Sequence, residues 1–337
     1  MQKLFLICAI VALSFAGQAR SETAEEFFRG KQMSLVIGYN PGGSYDVWSR
    51  LAANHLPRFI PGNPVIVAKN MPGVGSVKAA NYLYTQAPRD GLTIGMIGQA
   101  MALTQALREA GVEYDMRDFS WIGRFTSATE LTVVWHTSPV KTIEDAMKRE
   151  TVLAGTSAGS TTDLFPRVMN RIAGTKFKVV KGYAGTSGSN LAMERGEVEG
   201  SLDSVDSLIF IRGDWLRDKK VSVLVQYAQK RHPALPDVPA MVEFGKTPDD
   251  KRLMMLFGSN AEVGRSLMAP PGVPADRLAA LRKAFVAMAA DPAFKEEAQK
   301  RKLELGPMAG EDLQKLMRET LDLSPDVIAR AIAVSRE

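Results

Sequence analysis

Short apolar runs alternate with amphipathic segments along most of the chain. Between residues 47 and 59, apolar side chains recur at spacings of three and four residues, which places them on one face of a helix. The runs are short and rich in β-branched residues, as buried strands are. Alternating strands and helices predict an α/β protein with parallel sheets covered by helices. The predicted strands are 33–37, 65–68, 92–97, 131–135, 152–154, 177–180, 198–202 and 221–227.

Toward the end of the chain the apolar positions follow helical spacing alone. Residues 274–300 and 309–323 carry this pattern and are predicted to be helices. We expect this helical tail to pack back on the domain that begins the chain.

Four of the predicted strand-to-helix junctions are rich in glycine and hydroxyl residues. In open α/β sheets, ligands bind beyond the carboxyl ends of strands. Glycines there let backbone approach a ligand, and a helix start offers unpaired N–H donors with a partial positive charge. Capping is the alternative role, and Ser160 with Asp163 fits a helix cap, but ordinary caps do not need so many glycines. The four junctions are residues 38–46, 70–76, 155–163 and 182–190.

The first nineteen residues have the pattern of an export signal. Lys3 supplies a positive charge, residues 4–15 are almost entirely apolar, and Gly17 and Ala19 occupy the −3 and −1 positions of a cleavage site. The apolar stretch is short for a membrane anchor, so we expect cleavage near Ala19. Cys8, the single cysteine of the chain, lies within this segment. A cleaved chain would therefore have no disulfide, thiolate metal site or cysteine nucleophile.

Length and charge limit the remaining possibilities. A chain of 337 residues exceeds what one core usually holds, so two domains are expected. Its 42 basic and 37 acidic side chains are interspersed, which together with the absence of a zinc-finger spacing or aromatic-basic stripe argues against nucleic acid as a partner. No dinucleotide-binding or P-loop pattern occurs, and no cluster has metal-ligand spacing. We therefore expect no cofactor and no metal.

Six segments, in order, resemble the substrate-binding receptors of tripartite tricarboxylate transporters, also called Bug-type periplasmic binding proteins. The resemblance extends over roughly residues 30 to 310. The segments are P-G-G-S-Y-D at 41–46, N-M-P-G-V-G at 70–75, A-P-R-D-G-L-T-I at 87–94, G-T-S-A-G-S-T-T at 155–162, R-H-P-A-L-P-D-V-P at 231–239, and A-P-P-G-V-P at 269–274.

This resemblance implies two α/β domains, each with a mainly parallel sheet flanked by helices, joined by a hinge and closing on a ligand like a Venus flytrap. The first domain would be discontinuous, with residues 22–127 and 254–337, and residues 128–253 would form the inserted domain. The protein would be a periplasmic, monomeric receptor that binds a small carboxylate and delivers it to a large and a small membrane subunit. Gln99 is added to the expected ligand-binding residues from its position after a strand. Those residues are Asn40, Gly42, Gly43, Ser44, Tyr45, Asp46, Gln99, Ser157, Ser160, Thr161, Thr162, Asp203 and Ser204.

The chain departs from the family pattern at several positions. Asp163 replaces a common histidine, and a carboxylate there would weaken anion binding unless it points away as a helix cap. Tyr45 is bulkier than the common threonine and could form a wall of the pocket or stack on a ligand. The turn that holds Lys181 and Tyr183 is shifted. The segment 246–264 is longer than in the family pattern, so the sequence does not fix where the chain crosses the hinge for the second time.

Two other functions compete with transport. Residues 155–159 match G-x-S-x-G, and Ser157, Asp203 and His232 follow in the chain order of a serine hydrolase. His232, however, lies in a proline-rich connection, and the P-G-G loop follows the first strand rather than the third, where a hydrolase has its oxyanion loop. A liganded receptor could also dock on a signalling protein instead of a permease, and the sequence does not separate sensing from transport.

Overall fold

A computed structural model describes residues 22–156, 160–183 and 185–336 of the chain. The proposed export signal and Ser157 lie outside these ranges. The described strands form one sheet of six and one of five. The strands are β1 (Gln32–Ile37), β2 (Val65–Asn70), β3 (Thr93–Met96), β4 (Ser120–Thr126), β5 (Glu130–Trp135), β6 (Thr151–Ala154), β7 (Phe177–Val180), β8 (Gly200–Ser204), β9 (Val221–Tyr227), β10 (Arg265–Ala269) and β11 (Met308–Ala309).

Helices cover both sheets and fill the connections between strands. The α-helices are α1 (Ala24–Phe28), α2 (Ser44–His55), α3 (Val77–Thr85), α4 (Met101–Ala106), α5 (Ile143–Lys148), α6 (Thr161–Ile172), α7 (Gly185–Glu194), α8 (Gly213–Arg217), α9 (Pro248–Val263), α10 (Ala275–Ala290), α11 (Pro292–Lys300), α12 (Gly310–Leu321) and α13 (Pro325–Arg336). Shorter helical turns lie at Leu56–Phe59, Val74–Ser76, Ser207–Ile211 and Met241–Phe244. The predicted apolar face of α2 is confirmed, since Trp48, Leu51 and Ala52 are buried.

Each sheet contains the expected parallel unit, to which antiparallel strands are added. The first sheet has the order β11-β4-β10-β3-β1-β2, in which β3, β1 and β2 are parallel. The second has the order β7-β6-β8-β5-β9, in which β7, β6 and β8 are parallel. The other pairings are antiparallel. The sheets are therefore mixed, and the α/β architecture with two sheets is confirmed.

Three strands of the first sheet, β4, β10 and β11, were not predicted. The sequence of β4 contains a glycine and an arginine, yet all of its residues are buried. Arg124 is accommodated there because its Nη1 donates to Glu262 Oε2 at 3.0 Å. The arginine interrupts the apolar run by which a buried strand is predicted, and the partner that neutralises its charge lies far along the chain.

The helical tail packs on the first sheet, as expected. Phe285 of α10 lies against Phe125 of β4, with ring centroids 4.9 Å apart, and Phe125 stacks on Trp48 of α2. Gly123 makes room for this ring, since a Cβ there would lie 2.2 Å from Phe285 Cδ1. The last helix, α13, instead contacts α6 and α9, so the end of the chain reaches the layer that covers the second sheet.

The chain passes between the sheets at two adjacent segments. The first lies between β4 and β5, where Ala128 N–H donates to Ala261 O at 2.9 Å. The second lies at Gly264, between α9 and β10. Gly264 has a φ of 49°, and a Cβ there would meet Thr126 O at 2.0 Å, so the two crossings pack without room for a side chain. The first predicted boundary, after residue 127, coincides with a crossing, whereas the boundary after residue 253 falls within α9. The division into two domains stays a prediction.

Candidate ligand-binding cleft

Asp46 fixes the shape of the loop between β1 and α2. This side chain is buried, and its carboxylate accepts hydrogen bonds from Arg50 Nε at 3.0 Å, Gly42 N–H at 3.0 Å and Asn70 Nδ2 at 2.9 Å. The hydrogen bond from Arg50, with those from Gly42 and Asn70, lowers the pKa of Asp46 to about 2. Gly42 has a φ of 88°, a conformation that glycine adopts readily. Asp46 therefore organises the loop that precedes α2.

Tyr45 connects this loop to the end of β3. Its ring stacks on Tyr39, with centroids 4.3 Å apart. Its hydroxyl accepts from the backbone N–H of Gln99 at 3.0 Å and lies 3.3 Å from Gln99 Oε1, to which it can donate. Gln99 Nε2 in turn donates to Ala128 O at 3.4 Å, at the first crossing. Tyr45 and Gln99, both predicted site residues, thus lie together beside the crossing.

Arg265 places a positive charge at the start of α2. Its Nε donates to Ser44 Oγ at 3.0 Å and its Nη1 to Gln99 Oε1 at 2.6 Å. Within the described residues, Nη2 makes no hydrogen bond and no carboxylate oxygen lies within 4.0 Å of the guanidinium. Gly43, at the N-cap, provides no capping side chain. The first N–H groups of α2 and an unneutralised guanidinium therefore form a site for an anion.

Glu130 lies at the start of β5, in the second sheet. Its Oε1 accepts from Thr161 Oγ1, at the first residue of α6, at 3.1 Å. Its Oε2 is buried without a hydrogen-bond partner among the described residues. Burial raises the pKa of Glu130 to about 7, while the hydrogen bond from Thr161 and the charge of Arg265 act in the opposite direction. Arg265 of the first sheet and Glu130 of the second therefore lie within electrostatic range of each other.

Three hydroxyl groups contact one another in the loop before α6. Thr156 Oγ1 donates to Ser160 Oγ at 3.0 Å, and Ser160 Oγ lies 2.8 Å from Thr162 Oγ1. Thr162 Oγ1 also accepts from the backbone N–H of Thr156 at 2.9 Å. Ser160 is the N-cap residue of α6, but its side chain makes no capping hydrogen bond. The loop therefore presents hydroxyl groups that are ordered by one another, whereas the alternative role, in which the Ser160 side chain caps α6 through a hydrogen bond, is not observed.

Asp163 does not place a free negative charge in the cleft. Its Oδ2 accepts from Arg167 Nη2 at 2.9 Å, and its Oδ1 lies 3.6 Å from Lys181 Nζ. Two basic side chains thus offset its charge. These two contacts remove the concern raised by the missing histidine.

Asp203 and Ser204 hold the end of β8. Asp203 is buried, and its carboxylate accepts from Asn190 Nδ2 at 3.0 Å and from Ser204 N–H at 2.8 Å. Arg212 Nε lies 4.0 Å from Asp203 Oδ2. Ser204 Oγ accepts from Ser207 N–H at 3.1 Å. These contacts order the backbone after β8, as those of Asp46 order the loop before α2.

The contacts of His232 do not match a hydrolase triad. His232 Nδ1 accepts from Ala234 N–H at 3.2 Å, and Nε2 lies 3.6 Å from Glu304 Oε1. Neither ring nitrogen bonds to Asp203 in the described part of the chain. Because Nδ1 accepts a hydrogen bond here, it does not donate one to an orienting carboxylate, as the base of a triad does.

A pair of carboxyl groups from the two sheets lies near His232. Asp206 follows β8, and Glu304 precedes β11. Burial, with the neighbouring Glu304 carboxylate, raises the pKa of Asp206 to about 6, while Arg265 and His232 oppose the shift. A second acidic group therefore lies within the electrostatic reach of Arg265.

The structure brings together some predicted residues and adds others. Ser44, Tyr45 and Gln99 all contact Arg265, and Thr161 contacts Glu130. Asn40 and Gly43 are exposed on the loop before α2. Sequence reasoning missed Arg265 and Glu130, because neither lies in a glycine-rich junction, and their sequence signal was a charge at the start of an apolar run. It also missed Tyr39, which lies within the first junction but was not singled out there.

A groove lies outside the candidate site. This groove, of about 940 Å³, is formed between α10, α11 and β11, with Phe285, Val286 and Met308 among its lining residues. It contains none of the predicted ligand-binding residues.

Comparison with known proteins identifies the family of this chain. The profile described as "Tripartite tricarboxylate transporter family receptor" matches residues 49–332. The chain belongs to this family. Its members are periplasmic solute-binding proteins, not enzymes, and the resemblance seen in the sequence is thereby confirmed.

Relatives and solved structures agree with this assignment. A protein of Cupriavidus necator, "UPF0065 protein in gbd 5'region", is 26% identical over 96% of this chain and 94% of its own length. A TctC solute-binding protein from Polaromonas, solved without ligand, has a TM-score of 0.68 at 17% identity and covers 90% of this chain and 97% of that one. MatC from Rhodopseudomonas palustris, solved with malate, has a TM-score of 0.60 at 22% identity and covers 91% and 99%. These structures confirm the fold.

Within the described ranges, no helix is both long and apolar enough to span a membrane. The same residues contain no cluster of histidine, aspartate and glutamate suited to a metal ion.

Proposed function

We propose that this receptor captures a small carboxylate between the two sheets and delivers it to the large and small membrane subunits of a tripartite transporter. The observation that carries the proposal is Arg265, whose guanidinium is unneutralised and lies at the uncapped start of α2. A carboxylate at this position would accept charge-assisted hydrogen bonds from both the side chain and the helix backbone.

The ligand contacts are divided between two sets of residues. The first set lies before α2 and after β3, and it includes Arg265, which the structure brings to this place. The second set lies at the start of α6, and it includes Ser157 because the sequence predicts a role for it. Asp46, Asp203 and Ser204 support the backbone of the site without binding the ligand directly. The proposed ligand contacts are Asn40, Gly42, Gly43, Ser44, Tyr45, Gln99, Arg265, Ser157, Ser160, Thr161 and Thr162.

Capture involves closure of two lobes, residues 22–127 with 254–337 and residues 128–253, about the paired crossings at Ala128 and Gly264. Ligand contacts to both lobes favour the closed state only by their differential affinity for it. The closed form then presents a composite surface to the membrane subunits. The receptor is a monomer, exported to the periplasm after cleavage near Ala19.

Two structural neighbours support the ligand class. MatC was solved with malate, and the R. palustris protein Rpa4515, with a TM-score of 0.62, was solved with adipate. Both ligands are small carboxylates, which agrees with the anion site at Arg265.

A thermal-shift screen of small mono-, di- and tricarboxylates tests this function. A ligand that binds only the folded protein stabilises it by RT ln(1 + [L]/Kd), so a hit at a hundred times its Kd adds about 2.7 kcal/mol. Hits are confirmed by calorimetric titration. Binding by none of the carboxylates would overturn the proposal. Uptake of a confirmed ligand by cells carrying both membrane subunits, with and without the receptor, tests delivery.

A further inference from the structure

Two opposite charges, Arg265 and Glu130, lie within electrostatic range of each other without forming a salt bridge. Arg265 has no carboxylate oxygen within 4.0 Å, and Glu130 has no basic nitrogen within that distance, among the residues that the structure describes. They nevertheless interact, since the charge of Arg265 favours the ionised form of Glu130. A direct salt bridge between them is therefore absent, and neither charge is neutralised by the other.

Glu130 has a buried acceptor that the protein leaves unused. Its Oε1 is bonded to Thr161, while Oε2 is buried without a partner. A buried polar atom without a hydrogen bond destabilises the folded state, so such an atom in a native structure calls for a donor. Arg265, which lies at the anion site, is the charged side chain that acts on Glu130, and no described side chain donates to Oε2. The surrounding side chains therefore supply no second donor.

The charge of Glu130 also limits which ligands fit. A dicarboxylate bound through one end to Arg265 would turn its other carboxylate toward Glu130 and Asp206. Like charges in a partly desolvated site oppose each other unless protons are taken up. A ligand hydroxyl would donate a hydrogen bond to Oε2 but leave the negative charge of Glu130 uncompensated. An ammonium group would supply both the hydrogen bond and the opposite charge.

We propose that the preferred ligand is a small amino carboxylate, with its carboxylate on Arg265 and the start of α2 and its ammonium group on Glu130 Oε2. This inference rests on the proposed function and specifies its ligand class. Thr161 positions Glu130 by holding Oε1, so that Oε2 remains directed to the ligand. Glu130 is thus the residue that selects against a second carboxylate.

Matched ligand pairs test the inference on the unmodified protein. Each pair keeps one carboxylate and chain length and exchanges the other carboxylate for an ammonium group: succinate with 3-aminopropanoate, glutarate with 4-aminobutanoate, and adipate with 5-aminopentanoate. Affinities are measured by calorimetric titration at pH 8, where Glu130 is mostly ionised. In at least one pair, the amino carboxylate is expected to bind at least tenfold more tightly.

Glu130→Gln should reverse this preference. The change keeps the shape of the side chain and an acceptor for Thr161 but removes the charge. Affinity for the amino carboxylate should fall at least tenfold, and affinity for its dicarboxylate partner should rise. Glu150→Gln is the matched control, since Glu150 is an exposed glutamate of the same lobe, and it should change neither affinity. Thermal melts establish that both variants are folded.

The outcomes separate the inference from the function on which it rests. Tighter binding of the dicarboxylate in every pair, or a preference that Glu130→Gln leaves unchanged, would overturn the inference while leaving the carboxylate receptor intact. If no carboxylate of any kind binds, the proposed function fails instead. The pairs measured on the unmodified protein decide the matter even if Glu130→Gln does not fold.

Discussion

The guanidinium carbon of Arg265 lies 4.1 Å from the centroid of the Tyr45 ring, joining the second crossing between the sheets to the first turn of α2. Arg265 also bonds Ser44 and Gln99, so one side chain contacts three residues of the candidate site. A cation over an aromatic face contributes about 0.5–2 kcal/mol, depending on how far it is removed from water. The arginine is therefore held in place before a ligand arrives, which reduces the entropy lost on binding.

Arg265→Met should weaken binding of the carboxylate found by the screen at least tenfold, about 1.4 kcal/mol. Arg265→Lys should have an intermediate effect, because lysine keeps the charge but loses the planar fork and the stacking on Tyr45. Calorimetric titration measures both. Arg252→Met, which changes an exposed arginine of α9, is the control. An Arg265→Met protein that is folded and binds as tightly as the unmodified protein would rule out this arginine as the anion site.

Gly43 and Gly42 should respond differently to alanine. Gly43 has an extended backbone, and a Cβ there has no neighbour within 4 Å, so Gly43→Ala should cost little more than the weaker N-cap, about 1 kcal/mol or less. If the ligand contacts the start of α2, the added methyl group should weaken binding about tenfold. Gly42→Ala, at a φ of 88°, should mainly lower the melting temperature. Unchanged affinity in a folded Gly43→Ala protein would show that the ligand does not approach this backbone.

Much of the fold could be predicted from the sequence because its strands are local apolar runs. The helix that begins at Ser44 and the strands 177–180 and 221–227 were predicted closely for this reason. The strands β4 and β10 were not, because their burial depends on partners distant in the chain. Arg124 is buried in a salt bridge with Glu262, a contact between residues 138 positions apart.

The sequence predicted the parts of the candidate site that backbone and hydroxyl groups form, but not the charged side chains. Ser44, Tyr45 and Thr161 belong to glycine-rich junctions that follow strands, which is a local signal. Arg265 reaches Gln99 from 166 positions away, and no local pattern reports such a contact. Asp46 was predicted to bind the ligand, but its hydrogen bonds are used within the loop, and only the fold reveals those partners.

Asp46 should contribute stability that is lost in acid. Its pKa is about 2 in the folded protein and 3.8 as an ordinary aspartate, so folding favours the charged form. The contribution is fully present above pH 4 and is lost as the pH falls toward 2. The shift corresponds to roughly 2 kcal/mol. Asp46→Asn should therefore lower the free energy of unfolding at pH 7 by about that amount, measured in denaturant, and by much less near pH 2. An equal difference at both pH values would show that charge is not the cause.

Glu130 should have the opposite effect on stability. Burial raises its pKa from 4.5 to about 7, so the folded protein holds a proton that the unfolded chain releases at lower pH. Since the folded state binds more protons in this window, its stability falls as the pH rises from about 4.5 to 7 and stays lower above that. Asp206, whose pKa is raised to about 6, adds to the same decline.

Denaturant unfolding of the ligand-free protein at pH 5 and pH 8 measures this decline. Glu130→Gln cannot ionise, so the decrease in stability between the two pH values should be smaller than in the unmodified protein, and Asp206→Asn combined with it should reduce the decrease further. Glu150→Gln, which changes an exposed side chain, should leave the decrease unchanged. If Glu130→Gln shows the same decrease as the unmodified protein, Glu130 is ionised throughout this range. Its carboxylate would then be charged even at pH 5, and the preference for an amino carboxylate should persist there.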